Sequence, residues 1–202
     1  MRNKFILLGS SLFTALAIMS SEGCQKEAVS PNPPDPVVTD SIINVDQTPL
    51  PAFNELLNHY LQYGPHLPNN GTSDEDFATV IGGLFKQNVD SNIFTNTCAS
   101  RVSHALNLSG DPIPHMSGKT SSGGNGFKYL FRVIDLRSYM IHTYGEPDQQ
   151  GNNMNDFIGK KGIIIFNTQG LWNESVALGG NYADKPSFYF DNSVNVMLWV
   201  AK

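Results

Sequence analysis

Thr95-Asn96-Thr97-Cys98-Ala99-Ser100-Arg101-Val102-Ser103-His104-Ala105-Leu106-Asn107 is the stretch around which the rest of the chain is organised. Cys98, Val102, Ala105 and Leu106 recur at i, i+4, i+7 and i+8 and therefore share one face of a helix. Cys98 falls on its first turn, where Thr95 or Asn96 can cap the backbone N–H groups. Those groups and the helix dipole favour a thiolate, the nucleophilic form of cysteine. Two readings of Cys98 follow: a reactive thiol, or a small buried residue that begins a core helix.

Outward from this stretch, toward the N-terminus, Arg2 and Lys4 precede the apolar run from Phe5 to Met19, which is signal-peptide length and short for a membrane span. The run ends in Ser20-Ser21-Glu22-Gly23-Cys24 and resembles a bacterial lipoprotein signal. The expectation is a signal peptide over residues 1–23 with lipidation of Cys24, the alternative being ordinary signal-peptidase cleavage nearby. Residues 24–48 contain Pro31, Pro33, Pro34 and Pro36 among polar residues and read as an extended tether. The protein is thus expected to be exported and membrane-anchored, facing the periplasm or the cell surface. Residues 49–202 have the length of one domain.

The composition, 40% hydrophobic and 15% charged, supports an ordinary core. A formal charge of −5 with no basic stripe argues against nucleic acid. With Cys24 lipidated, Cys98 has no disulfide partner within the chain. His59, His66, His104, His115 and His142 form neither an i, i+4 pair nor a Cys/His ligand pattern, so no metal site is expected, and no cofactor motif is present. Gly118-Lys119-Thr120 invites a phosphate-loop reading, but the position that needs the first glycine is Ile113. Ser117–Gly126 reads instead as a flexible loop bordering the active site.

The remaining elements follow from periodicity. A helix is expected from Pro51 through Leu61. A second begins at Ser73 and is interrupted by Gly82-Gly83, which either end it or admit another backbone. Phe127 to Val133 alternates as a strand, and Asp135 caps a helix that buries Leu136, Tyr139, Met140 and Tyr144 and is closed by Gly145 and Pro147. Gly162–Phe166 reads as a strand buried on both faces, with further strands at Ser187–Phe190 and Val194–Val200. Helices first and strands last indicate an α+β domain, its N-terminal helices packed on a C-terminal antiparallel sheet.

A set of short matches then falls in one order: Val80-Ile81-Gly82-Gly83, Asn88, Asn96 to Ser103 with Ala105-Leu106-Asn107, Phe131-Arg132-Val133 with Asp135-Leu136, Tyr144-Gly145 with Pro147, Gly162 to Phe166, Gly170 with Trp172, and Tyr189-Phe190 with Leu198-Trp199. In this order the chain resembles the fourth group of the type VI secretion amidase effectors. The resemblance implies a papain-like (NlpC-like) cysteine amidase fold and cleavage of the peptidoglycan peptide stem between D-glutamate and diaminopimelate. It makes Cys98 the nucleophile.

The same resemblance implies a Gly-His-x-Asp-Leu-Trp-Asn-Gly block carrying the general base, and here the corresponding stretch is Ala177-Leu178-Gly179-Gly180-Asn181-Tyr182-Ala183-Asp184. Leu178 stands where the histidine is expected and can transfer no proton, while Asp184 lies near the family's later acidic position. His104 is six residues beyond Cys98 and points about 120° away from it. His115, beside the glycine-rich segment, is the candidate replacement base, the other reading being that all five histidines are incidental. Two functions remain: a lipoprotein amidase with an altered base, or a degenerate amidase that binds cell-wall peptide or an unidentified protein partner. An effector of the type VI route leaves the cytoplasm without an export signal, so a diffusible injected effector fits this sequence poorly.

Overall fold

The computed structural model describes residues 48–62, 72–168, 175–179 and 187–202. Cys24, the segments expected to be a signal peptide and a proline-rich tether up to residue 47, His66 and Asp184 lie outside them. Helix α1 is Phe53–His59, and Tyr60 leaves it in an extended conformation. The second helical segment is two helices, α2 (Asp74–Ile81) and α3 (Gly83–Asp90), with the break at Gly82 and Gly83, whose φ angles are 66° and 62°. Both roles expected of this glycine pair are realised. The Gly124 N–H donates to Ile81 O at 2.9 Å, and a Cβ on Gly83 would lie 2.5 Å from Gly124 N.

Helix α4, Cys98–Leu108, begins at the expected residue. It is more than amphipathic: every residue from Ala99 to Asn107 is buried. Its polar face survives burial by bonding to a strand laid across it. Ser103 Oγ accepts the Leu130 N–H, Ser100 Oγ donates to Leu130 O, and Asn107 Nδ2 donates to Lys128 O.

That strand is β2, Lys128–Leu130, paired antiparallel with β1, Thr120–Ser122. Two expectations are corrected here. The segment Ser117–Gly126 is not a flexible loop throughout: its centre is β1, with Ser121 buried. The strand near Phe127 is shorter than its alternation implied and belongs to a separate two-stranded sheet, because α4 holds it by side-chain bonds. Helix α5 runs Val133–Tyr144, with Asp135 in its first turn rather than at its cap.

The main sheet is antiparallel in the order β3-β6-β4-β5, from β3 (Gln149–Gly151), β4 (Gly162–Thr168), β5 (Ser175–Gly179) and β6 (Ser193–Val200). Alternation sorts its side chains. Ile163, Ile165, Met197 and Trp199 pack with α4 residues Val102, Ala105 and Leu106. Ile164, Phe166, Val196 and Leu198 pack on the other side with Phe157 and Phe190. Coverage on both faces accounts for the continuous apolar run in β4. Residues 187–190 are a further correction: they belong to a short helix, α6 (Ser187–Asp191), rather than a strand. The architecture is α+β, as expected.

Candidate active site

The start of α4 is held by a network that fixes Cys98 in place. Asn96 Oδ1 accepts the Cys98 N–H at 2.8 Å. Thr97, which occupies the cap position, turns its hydroxyl elsewhere: it donates to Asp74 and accepts from Arg101 Nε at 2.8 Å. Arg101, one turn into the helix and almost fully buried, gathers three elements. Its Nη1 donates to Leu61 O at 2.7 Å and Thr72 Oγ1 at 2.6 Å, and its Nη2 donates to Thr72 O, Ser73 O and Asp74 Oδ1. The guanidinium thereby fastens the exit of α1 and the entry of α2 to the helix that carries the thiol.

Cys98 is half-buried and packs against the core cluster that contains Val102 and Leu178. Tyr60 packs against the same cluster. Its hydroxyl is pushed up by burial and then by the charge of Cys98, with Arg101 and a backbone hydrogen bond at Leu178 opposing. Tyr60 therefore stays protonated at neutral pH and cannot serve as a base. The sequence did not mark it, because its spacing placed it on the apolar face of α1 and nothing announced the extended turn at its backbone. Arg101 was likewise missed; its only signal was a charge inside a helix bounded by buried neighbours.

Strand β5 pairs with β4, Leu178 opposite Ile163, and the Leu178 side chain is buried in the cluster on the α4 side of the sheet. His115 is exposed and makes no hydrogen bond or ion pair with the described residues. The chain beside it is anchored where the Ile113 N–H donates to Asn107 Oδ1 at 2.7 Å. Asn107 lies about 13 Å along the helix axis from Cys98. Among the described residues no hydrogen bond or ion pair joins His115 to Cys98. His104 points away from the thiol, as expected, between the rings of Phe77 and Tyr129 with Nδ1 3.4 Å from the Tyr129 hydroxyl. Burial, then the charge of His59, pushes its pKa down to about 4. Among the described residues no group of three His, Cys, Asp or Glu side chains could hold a metal ion.

The half-buried cysteine that opens α4 lies inside a segment that matches a known family. The pattern of the type VI secretion system amidase effector protein 4 family matches residues 94–199. The chain belongs to this family. Its fold is similar to that of Tae4 from Salmonella Typhimurium in a complex with Tai4, at 31% identity and a TM-score of 0.64, over 75% of this chain and 99% of the other. It is similar also to Tae4 from Enterobacter cloacae, at 29% identity and a TM-score of 0.64, over 75% of this chain and 97% of the other. No curated protein matched. The matched residues run from Phe94, before α4, to Trp199 on β6, and so include Cys98 and Arg101 but not Tyr60 or Asp74.

Proposed function

We propose that this amidase-effector family member cleaves the peptide stem of peptidoglycan between D-glutamate and diaminopimelate, with Cys98 as nucleophile. The observation that carries the reading is Cys98 itself, set at the first turn of a helix whose next nine residues are buried, inside the family match. The sulfur attacks the amide carbon, the C–N bond breaks as the leaving amine gains a proton, and water hydrolyses the thioester to regenerate the thiol. The proton passes through His115, and Asp184 is the acidic residue that the family resemblance offers with it. Exposed and with no hydrogen-bond partner to give up, His115 is reached by a rearrangement of the segment after α4. The domain is exported and held to a membrane by an acyl chain on Cys24. The relatives' complexes with the immunity protein Tai4 support a protein of that kind as partner.

Leu178 favours a second reading, a degenerate site that binds cell-wall peptide or a protein without turnover. Its buried alkyl side chain supplies no acid–base catalysis, which contributes roughly 10²- to 10⁴-fold where present. Digestion of isolated sacculi separates the two. Stem cleavage by the wild type that is lost in Cys98→Ala supports the amidase. Retained binding without cleavage supports the second reading.

A further inference from the structure

A groove in front of α4 has no part in the chemistry above. Ile93, Phe94, Thr95, Asn96, Phe131 and Arg132 line a cavity of about 300 Å³. Phe94 and Phe131 stack with centroids 4.6 Å apart and planes 15° from parallel, and the exposed Ile93 extends this apolar wall. Asn96 connects the groove to the nucleophile, since it both lines the cavity and accepts the Cys98 N–H.

Arg132 supplies the groove's charge. Its Nε donates to the buried Asp135 carboxylate, its guanidinium carbon lies 5.5 Å from the Phe131 centroid, and Nη2 reaches Gly118 O at 3.4 Å. The side chain is nevertheless 54% exposed, and its Nη1 donors have no partner among the described residues. A carboxylate behind and an aromatic ring beside it hold the planar fork in one orientation. No acidic residue is among those lining the groove. A pre-oriented guanidinium on an apolar wall is suited to a carboxylate.

We propose that this groove is the substrate subsite that reads a free carboxylate close to the scissile bond, with Arg132 as its reader. The inference rests on the reading of the domain as one that engages cell-wall peptide. A glutamyl residue linked through its γ-carbonyl keeps a free α-carboxylate a few bonds from that carbonyl, and this is the carboxylate that Arg132 takes. The aromatic pair receives the aliphatic part of the same residue.

The test is calorimetric titration of the full chain carrying Cys98→Ala with the tetrapeptide L-Ala-γ-D-Glu-diaminopimelate-D-Ala. The peptide is used with the D-glutamyl α-carboxyl free, with it amidated, and with only the diaminopimelate carboxyl amidated. A charge-assisted pair predicts that amidating the D-glutamyl carboxyl weakens binding about tenfold or more. Arg132→Gln should lower the affinity for the free acid to that for the amide and leave the amide's affinity unchanged. Arg132→Lys, which keeps the charge without the planar fork, should give a partial loss, and it replaces Arg132→Gln should the latter be unfolded at the assay temperature. Absence of binding, equal binding of acid and amide, an equal loss for both in the variants, or sensitivity to the diaminopimelate carboxyl alone would overturn the proposal. Sacculus digestion is scored separately: discrimination by Cys98→Ala without cleavage by the wild type keeps the subsite and rejects turnover. Cleavage without discrimination does the reverse.

Discussion

Arg101 and Asp74 form a 3.0 Å ion pair in which the guanidinium is 1% exposed and the carboxylate 27%. The pair joins α4 to the start of α2, and the other guanidinium bonds take the backbone carbonyls of Leu61, after α1, and of Thr72 and Ser73, before α2. A fork with five donors meets these acceptors from one position, which an ammonium cannot do.

Arg101→Met should therefore destabilise the fold by about 3 kcal/mol, since it strands the facing carbonyls and the Asp74 carboxylate. Arg101→Lys should recover little of this. Urea unfolding of both variants checks it; a Lys variant as stable as wild type would show that charge alone suffices.

Folding stability should fall with acid through His104. Its pKa is depressed in the fold, so between about 6.5, its ordinary value, and about 4 the unfolded chain binds the additional proton. Stability is fully present above the ordinary value and declines as pH falls toward about 4, with a contribution on the order of 3 kcal/mol at full titration. Denaturant midpoints measured from pH 7 to pH 4 should show this slope, and His104→Phe should flatten it.

How much of this was legible in the sequence depended on which force set each element. Helix α4 and strand β4 are dictated by apolar burial, and their periodicity displayed them. Strands β1 and β3 are three residues each, Thr120–Ser122 and Gln149–Gly151, and are placed by pairing with partners distant in sequence, which leaves no local pattern. Residues 187–190 misled because aromatic residues favour strands. Yet adjacent Tyr189 and Phe190 both contact Phe166, each with centroids 5.2 Å from its ring. A helical turn separates neighbours by about 100° and allows this, whereas a strand would send them to opposite faces. In the site, Cys98 announced itself by position, while Tyr60 and Arg101 acquire their roles from tertiary contacts alone.

Cys98 should be alkylated by iodoacetamide at neutral pH faster than a model peptide thiol, because the peptide dipoles at the first turn of α4 favour the thiolate. Mass spectrometry of the timed reaction reports the rate. Labelling no faster than in the urea-unfolded chain would identify Cys98 as an inert core residue.

Leu178→His should lower stability by about 2–4 kcal/mol, because it exchanges a buried alkyl group for an imidazole in the apolar cluster that holds Val102, Ala105 and Ile163. It should not raise stem cleavage above the wild-type level. A gain of cleavage with stability unchanged would show that the strand presents this position to the thiol rather than to the core.

The Phe53 N–H donates to Lys202 O at 2.9 Å, so the first residue of α1 and the residue two beyond β6 are neighbours. Topologically the domain is close to a ring. Its order of elements is then one of several cuts through the same set of contacts: a short bridge between residues 202 and 52, with the ring reopened at the exposed turn containing Gly118, preserves α4 on its sheet and begins a new polypeptide at β1. Where translation starts and where the fold is closed are separable properties of this molecule.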